Sequence, residues 1–382
     1  MYDFAGHGAM ISDPMRVGAY ERALRHTVKP GMVVLEIGTG AGIMAILACQ
    51  LGAKRVYTIE PTAVIYLAQE IAAANHCADK IEFIEDVSRR VRAPIQADVI
   101  VSDLRGMLPL LEDHIPTIAD ARTRFLAPGG ILVGRKDHLW AAVVDAPEQY
   151  ARIVLPWESS LLGQDLSAGR RMIVNNFYRT RVTPEQLLTP PKIWATLDYA
   201  RIENPDVGGE LAWSVKRSGT GHGIVIWFDA ELADDVRFSS GPESPDTVYT
   251  SMFLPWQESV PLVAGQSVCI DLQAKLVEMD YVWRWVTKVE SVSHPGKFSH
   301  QFDQFELKGA MLSPSLLRKS TSNYIPQLSE EGLIRRRVLE LMDGKASLEH
   351  IAKQLVAEFP QRFSRWQKAL LFTGLISKQN SR

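Results

Sequence analysis

Two acidic side chains flank a mostly apolar segment, SDLRGMLPLLED, between Ser102 and Asp113. The first, Asp103, follows an apolar run over residues 97–101 that predicts a buried strand, and the second, Glu112, lies near the end of the segment. Two carboxylates held close together can bind a cation through charge-assisted, partly bidentate hydrogen bonds. This pair is therefore the first candidate for chemistry in the chain.

Three closely spaced glycines form a second candidate site in VVLEIGTGAGIM, residues 33–44. Gly38, Gly40 and Gly42 follow a predicted buried strand and precede a predicted helix. Glycines let the backbone approach a ligand closely, and the helix N-terminus favours negative groups such as a carboxylate. The spacing is not the G-x-G-x-x-G of dinucleotide-binding folds. A strand-to-helix turn that merely needs glycine is the alternative interpretation.

An acid also ends the second predicted strand, RVYTIEP, at Glu60. There it can accept hydrogen bonds from both hydroxyls of a ribose, or it can be a solvated surface charge. Together with EDV at residues 85–87 and LAPGG at residues 126–130, this set resembles the class I methyltransferases that use S-adenosylmethionine. The resemblance implies that Asp86 or Ser88 lies near the adenine edge and Val87 against its face.

The elements that must position these residues alternate in type from Met32 to about Arg135. Apolar strand patterns alternate with amphipathic helix patterns, which predicts a parallel sheet covered on both faces. From about Lys136 alternating aromatic-rich runs predict an antiparallel barrel or sandwich, from which residues 161–188 form a helical excursion. We expect an α/β, Rossmann-like domain over residues 1–135, a β-barrel domain over 136–315, and a small winged-helix-like bundle of three helices over 316–382.

The acid segment between Ser102 and Asp113 resembles one particular family of these methyltransferases. It is similar to the double-acid loop of protein arginine N-methyltransferases, S-E-x-x-G-x-x-x-x-x-E: Ser102, Gly106 and Glu112 match, and Asp103 stands where that family has its first Glu. A guanidinium has a pKa above about 12 and no free lone pair, so it is a poor nucleophile. By this resemblance Asp103 and Glu112 hold its charge on some nitrogens and aim another at the methyl group, at roughly 3 to 3.5 Å.

The N-terminal segment HGAMISDPMR is similar to a second motif of the same family, H-E-x-M-L-x-D-x-x-R. His7, Met10, Asp13 and Arg16 match it. The resemblance implies that Arg16 binds the methionine carboxylate of the cofactor, that Met10 lines the pocket, and that Asp13 orients Arg16, with His7 in a supporting place. Singly, Met10 also fits a core position, and Asp13 with Arg16 a surface pair at helical spacing.

The resemblance continues through about Ser315. Residues 163–188 are similar to the helical arm through which these enzymes dimerise, and residues 211–232 to a barrel hairpin, which implies a homodimer. The C-terminal section, residues 316–382, is an addition to the family pattern and has three interpretations. It is a solvated helix face of a bundle, or a winged-helix-like module that captures a peptide. A DNA-binding unit is the least favoured interpretation because the charge of the section is modest.

Three departures from the family pattern are visible. Asp103 is shorter than Glu by about 1.5 Å of reach, so arginine is gripped differently or is not the substrate. Thr247, Val248 and Tyr249 occupy the region of the family's T-H-W loop, which here has no histidine; His300 lies too late in the chain to replace it. The chain begins at Met1, just before HGAM, which leads us to expect a more open pocket and weaker cofactor binding.

The amino-acid composition excludes several other functional classes. The chain of 382 residues has 46% apolar and 23% charged residues and a net charge of -2, which predicts a globular protein without broad attraction to nucleic acid or membranes. Cys49, Cys77 and Cys269 suggest neither disulfides nor a metal site, and a reducing cytoplasm fits best. No signal peptide or apolar run of about 18 residues is seen.

The sequence thus predicts an S-adenosylmethionine-dependent methyltransferase acting on a guanidinium nitrogen of a protein or peptide arginine. Two alternatives are a methyltransferase for another nucleophile, in a natural-product precursor peptide or a small metabolite, and a scaffold that kept the fold and lost the chemistry.

Overall fold

The computed structural model describes residues 4–158, 160 and 162–381. Of the predicted ranges, Leu161 at the start of the arm, residues 1–3 and residue 382 lie outside this description. The chain divides into two compact units, one up to Ala310 and one from Met311 onward.

Five parallel strands form the first sheet, in the order β3-β2-β1-β4-β5. They are β1 (Val33–Ile37), β2 (Arg55–Ile59), β3 (Ile81–Ile84), β4 (Ala97–Ser102) and β5 (Leu126–Val133). Each begins or ends within one of the predicted apolar runs, so the expected parallel sheet is confirmed. The central strands β1 and β4 are nearly continuous apolar runs because both faces of a parallel sheet are covered.

The helices of this half are α1 (Phe4–Ser12), α2 (Pro14–Thr27), α3 (Ile43–Gln50), α4 (Val64–Ala74) and α5 (His114–Arg124). Asp13 caps α2, and Pro14 occupies its first turn, where a missing N–H costs nothing. Since the carboxyl ends of parallel strands meet at one edge, the glycine segment after β1, Glu60 after β2 and Asp103 after β4 lie at the same edge of the sheet.

Two antiparallel sheets follow, as the alternating pattern predicts. One has the order β7-β12-β10-β6-β8 with β11 on β10, and the other the order β15-β14-β13-β9. The strands are β6 (Lys136–Val144), β7 (Tyr178–Thr180), β8 (Lys192–Asp198), β9 (Val207–Ser214), β10 (Gly219–Ala233), β11 (Val236–Ser239), β12 (Ser251–Leu262), β13 (Ser267–Val277), β14 (Asp280–Glu290) and β15 (Phe298–Phe305). In β14 the alternation is plain: Trp283 and Trp285 are buried, whereas Arg284 between them is exposed.

The predicted excursion is partly helical. Before it lies α6 (Pro147–Val154), within it α7 (Ser167–Ile173), and far along the chain α8 (Glu306–Gly309) packs near α7. The predicted excursion also contains a short strand, since β7 pairs with β12 through Thr180 and Ser251. Three residues are too few to show the two-residue alternation by which a strand is recognised.

The second unit contains α9 (Pro314–Lys319), α10 (Glu330–Leu341), α11 (Leu348–Glu358) and α12 (Trp366–Asn380). Ser347 caps α11 by accepting a hydrogen bond from the His350 backbone N–H at 3.2 Å. Ile334, Leu355 and Phe363 are the centre of its small apolar core. The described residues of this unit contain no β-strand, so they form helices without a wing.

Throughout the described chain, every helix is too short or too polar to cross a bilayer.

Candidate active site

A cavity of about 360 Å³ opens at the carboxyl edge of the parallel sheet. Its wall includes most of the predicted site residues, namely His7, Met10, Arg16, Gly38, Gly40, Glu60, Asp86, Val87, Ser88, Asp103 and Glu112. Asp13 and Gly42 lie outside it. The volume falls in the range of about 300 to 1,000 Å³ that small-molecule sites occupy.

The glycine segment forms one wall of the cavity. Gly38 has a φ of +76°, and a Cβ there would lie 2.4 Å from a methyl carbon of Leu104. A side chain at this position would therefore be strained and would force the Leu104 side chain to move. Gly42, with a φ of +81°, precedes α3 and packs on Ala68. Its place in cofactor binding therefore stays a prediction, and its freedom from a Cβ serves the entry into α3.

Glu60 ties the glycine segment to the end of β2. Its carboxylate accepts hydrogen bonds from the Gly40 backbone N–H at 3.1 Å, from the Thr62 N–H at 3.0 Å and from the Thr62 hydroxyl at 2.6 Å. A carboxylate has about four acceptor positions, so one remains for a ligand. On the neighbouring loop, Asp86 accepts from the Val87 N–H and from Arg90, each at 2.7 Å.

Arg16 projects from the first turn of α2. Its Nε donates to Asp103 at 2.5 Å and its Nη1 to the Met10 carbonyl at 3.1 Å. Among the described residues its Nη2 has no hydrogen-bond partner. Asp13 contacts Arg16 through the backbone: it accepts a hydrogen bond from the backbone N–H of Arg16 at 2.9 Å and thereby fixes the start of α2.

The second oxygen of Asp13 accepts a hydrogen bond from the backbone N–H of Val248 at 2.8 Å. This bond links the barrel to α2 in the region where the sequence lacks the expected histidine. The next residue, Tyr249, is buried, and its hydroxyl donates to Asp103 at 2.6 Å. A backbone amide and a phenol therefore connect the two domains of the first unit here.

Asp103 is buried, with 6% of its side chain exposed. Its Oδ2 accepts from both Arg16 and Tyr249, while its Oδ1 lies 3.6 Å from Nη1 of Arg105 and has no hydrogen-bond partner among the described residues. Burial raises the pKa of this carboxyl, but the positive charges of Arg16 and Arg105 outweigh burial, so the net shift of the pKa is downward. Asp103 is thus ionised at neutral pH.

Glu112 differs from Asp103 in every respect except its charge. Its side chain is exposed, and it lines the same cavity from the far end of the acid segment. Its φ of +44° lies in the left-handed region, which costs a non-glycine residue roughly 1–2 kcal/mol. Such strain is found most often at functional sites, where surrounding contacts hold it. The structure thus brings the two predicted acids into one cavity, one buried and paired, the other at its mouth.

A buried network under the acid segment was missed by sequence reasoning. Arg105 donates from Nε and Nη2 to the two oxygens of Asp137, at 2.8 and 2.9 Å, and from Nη1 to the Tyr20 hydroxyl at 2.7 Å. Tyr20 in turn donates to the Ser102 carbonyl at 2.9 Å. Arg105 was the available signal, since it is a charged residue inside an apolar segment. Asp137, at the start of β6, carries no such signal in the sequence.

Glu36, in β1, is a second missed residue of the wall. It is buried and accepts a hydrogen bond from the Ala45 backbone N–H at 3.1 Å. Burial raises the pKa of Glu36 to about 8, although the hydrogen bond from Ala45 acts in the opposite direction. Its carboxyl group is therefore protonated over much of the physiological range.

Comparison with known proteins gives two matching family models. Residues 20–150 match the model described as ribosomal protein L11 methyltransferase, and residues 135–285 the model described as arginine methyltransferase oligomerization subdomain. Protein arginine N-methyltransferase 6 of Xenopus laevis is 28% identical over 284 residues, covering 71% of this chain and 83% of that protein. Protein arginine N-methyltransferase 1 of Dictyostelium discoideum is 27% identical over 273 residues, covering 69% and 80%.

Solved structures share the fold. The PRMT1 enzyme-prozyme heterotetrameric complex of Trypanosoma brucei with AdoHcy matches with a TM-score of 0.73 and 19% identity, over 79% of this chain and 98% of that one. Protein arginine methyltransferase 10 of Arabidopsis thaliana matches with a TM-score of 0.70 and 21% identity, over 80% and 98%. Neither structure covers the whole of this chain, and at these low sequence identities the similarity supports the fold alone.

Proposed function

We propose that the chain is a member of the protein arginine N-methyltransferase family and that it transfers a methyl group from S-adenosylmethionine to a guanidinium nitrogen of an arginine in a protein or peptide. The observation that carries this proposal is the shared cavity of Asp103 and Glu112. In the proposal, residues 1–135 bind the cofactor, residues 136–315 form the barrel that receives the substrate, and residues 316–382 recruit a partner.

S-adenosylmethionine, when bound, supplies an electrophilic methyl group on a sulfonium. Several features fit such a ligand: the Gly38 backbone is bare where a Cβ would clash, the Glu60 carboxylate retains an acceptor position, and Arg16 has a free Nη2 among the described residues. We assign the cofactor's carboxylate to Arg16 and its ribose to Glu60. We assign its adenine to the loop of Asp86, Val87 and Ser88. The protein backbone at Gly38 and Gly40 would lie against the cofactor, and Met10 and His7 would complete the lining of the site.

The two acids would act on the acceptor. A guanidinium has no free lone pair, so its nitrogen must be oriented and its charge drawn to one side before it can attack. Asp103 is held ionised by Arg16 and therefore offers a fixed negative charge deep in the cavity. Glu112 offers a second charge at the mouth, and because it is exposed, a proton accepted on its carboxylate oxygen can pass to water.

The reaction itself is tested with a pair of peptides. One contains a single arginine, and its matched control has lysine at that position. After incubation with the full chain and S-adenosylmethionine, we expect the arginine peptide to gain the mass of one or more methylene groups and to yield methylarginine on acid hydrolysis. Methylation of the lysine peptide, or of neither peptide by an enzyme that binds S-adenosylmethionine, would contradict the proposal.

The other two interpretations of the sequence are less well supported. The two curated relatives named above are protein arginine N-methyltransferases, so they favour arginine over a different nucleophile. A scaffold without chemistry is tested by calorimetric titration with S-adenosylmethionine, where an absence of binding would favour it.

We also propose that the chain forms a homodimer through the arm around α7. Support comes from the match to an oligomerization subdomain over residues 135–285 and from the exposed apolar side chains of Leu162 and Trp157, which are 80% and 38% exposed. Sedimentation velocity tests this: Leu162→Asp should shift the protein toward the monomer, whereas Val277→Asp, an exposed substitution on a barrel hairpin, should not.

A cytoplasmic location and a recruiting role for α10–α12 complete the proposal. The reducing compartment is supported by three free cysteines, two of them buried. The recruiting role is supported by Leu371 and Leu375, one turn apart on α12 and 74% and 63% exposed. A protein or peptide partner fits these two exposed apolar side chains better than nucleic acid does, since nucleic acid is bound mainly through basic side chains.

A further inference from the structure

His114 is the first residue of α5 and follows the acid segment directly. Its ring is buried, with 3% of the residue exposed, and it packs edge-on against the ring of Tyr199 with 5.2 Å between ring centroids. His114 also lines the cavity that contains Asp103 and Glu112. None of the sequence motifs points to it.

The neighbours of His114 fix its tautomer. The Tyr199 hydroxyl has one proton, which it donates to Oδ2 of Asp137 at 2.5 Å, because Asp137 is paired with Arg105 and can only accept. Nε2 of His114 lies 2.9 Å from the same hydroxyl oxygen. The oxygen must therefore accept a hydrogen bond from Nε2–H, and the lone pair of the ring lies on Nδ1.

Nδ1 of His114 has no hydrogen-bond partner among the described residues. Burial and, to a smaller extent, the positive charge of Arg105 lower the pKa of His114 to about 3, although the negative charge of Asp103 acts in the opposite direction. The ring is therefore neutral at physiological pH and is too weak a base to take up a proton. What it offers is a neutral acceptor. Leaving such a group unpaired is unfavourable, so a partner supplied by a ligand would be bound favourably.

Oδ1 of Asp103 is a second buried acceptor in the cavity wall that has no hydrogen-bond partner among the described residues. The residues that line the cavity thus include a neutral ring with an unpaired nitrogen, a buried carboxylate with a fixed negative charge, and the exposed carboxylate of Glu112. A guanidinium presents five N–H donors in one plane, which matches several acceptors at once. An ammonium has three donors on a single atom and cannot span separated acceptors in this way.

We propose that His114 binds the substrate, with its Nδ1 accepting a hydrogen bond from an N–H of the acceptor arginine's guanidinium. This rests on the proposed function and adds a third acceptor to the two acids. Such an acceptor orients the guanidinium plane without adding charge. It also compensates for the shorter reach of Asp103, because the guanidinium is held from a further direction.

Nitrogen NMR of the unchanged chain tests the proposal without any substitution. The protein is labelled with ¹⁵N in its histidine rings, and the His114 signals are assigned from their loss in His114→Gln. We expect the Nε2–H form in the free protein. The Nδ1 signal should move when S-adenosylhomocysteine and the arginine peptide are added together, and should stay in place with S-adenosylhomocysteine and the same peptide carrying alanine. An Nδ1–H form, or an unmoved Nδ1 signal at saturating arginine peptide, would overturn the proposal.

Kinetics supply the second test. His114→Phe keeps a ring against Tyr199 but has no acceptor, whereas His114→Gln keeps an acceptor oxygen. We expect the KM for the arginine peptide to rise about 10-fold in His114→Phe and to return to within a few-fold of the original value in His114→Gln, with the affinity for S-adenosylhomocysteine unchanged in both. An unchanged KM in His114→Phe overturns the role of His114 alone. An unchanged chain that neither binds nor methylates the arginine peptide overturns the proposed function, and this inference with it.

Discussion

Nε of Arg16 donates to the carboxylate of Asp103 at 2.5 Å, which joins the residue assigned to the cofactor and the residue assigned to the acceptor in one ion pair. Both side chains are largely buried, with 11% and 6% exposed. Asp103 therefore has two tasks in this account. It holds Arg16 in place and it presents a negative charge to the cavity, whereas Glu112 has only the second task.

Asp103→Asn should consequently affect both cofactor binding and folding. Removing the charge leaves the buried Arg16 guanidinium without its carboxylate partner, and breaking a buried ion pair in this way costs about 3–5 kcal/mol. We expect a lower free energy of unfolding in denaturant titrations and at least about a tenfold weaker affinity for S-adenosylhomocysteine in calorimetry. An affinity equal to that of the unchanged protein would show that Arg16 does not depend on Asp103.

Tyr249→Phe removes only the phenolic donor to Asp103. The ring stays within its aromatic neighbours, since Tyr249 stacks on Phe238 at 5.5 Å and meets Phe228 edge-on at 5.2 Å. A hydrogen bond to a charged group contributes about 1.5–3 kcal/mol, so we expect turnover to fall about tenfold or more. Val248→Ala is the matched control, because it keeps the backbone N–H that Asp13 accepts from. Equal rates for the two variants would exclude a role for the phenol.

Arg105 and Asp137 are expected to depend on each other for stability. Their side chains are 1% and 0% exposed, so Arg105→Met leaves Asp137 as an uncompensated buried charge. The single substitution should lower the free energy of unfolding by about 3–5 kcal/mol. Adding Asp137→Asn should recover a substantial part of this loss, since no unpaired charge remains. A double-mutant cycle measures the coupling, and simple additivity of the two substitutions would contradict the account.

Glu36 makes a testable contribution to the pH dependence of stability. Burial raises its pKa from 4.5 to about 8, so the native protein keeps a proton that the unfolded chain releases near pH 4.5. Between these values the native state binds more protons, and the contribution of Glu36 to stability falls as the pH rises. The stability of Glu36→Gln relative to the unchanged protein should therefore increase from pH 5 to 8, by up to about 1.4 kcal/mol per pH unit.

Urea titrations at a series of pH values measure this difference. The exposed Glu148→Gln serves as the control for loss of one acid at the surface. A difference between Glu36→Gln and the unchanged protein that stays constant across the pH range would mean that Glu36 is ionised in the native state.

The sequence predicts most of the fold of the first domain. The strands of a parallel sheet are buried on both faces, so they appear in the sequence as continuous apolar runs. Motif spacing likewise leads to Arg16, Glu60, Asp103 and Glu112. It does not reveal that Gly42 and Asp13 also lie at the helix starts of α3 and α2. Backbone hydrogen bonds of this kind leave no trace in residue type.

The residues that sequence reasoning does not identify are those that bind partners distant in the sequence. Asp137 and Tyr199 lie on or beside strands of the barrel, far along the chain from the acid segment that they support. Val248 binds Asp13 through its backbone, so the identity of its side chain says nothing about the bond. His114 stands beside Glu112 in the sequence, but its free lone pair follows only from the direction of the hydrogen bonds at Tyr199.

The most direct measurement of the central claim compares the unchanged protein with Glu112→Gln. Methyl transfer to the arginine peptide and the affinity for S-adenosylhomocysteine are measured side by side. Because Glu112 is exposed and is proposed to hold only the acceptor, turnover should fall at least about 100-fold while the affinity stays within a few-fold. Turnover equal to that of the unchanged protein would contradict the claim that the two acids hold the acceptor.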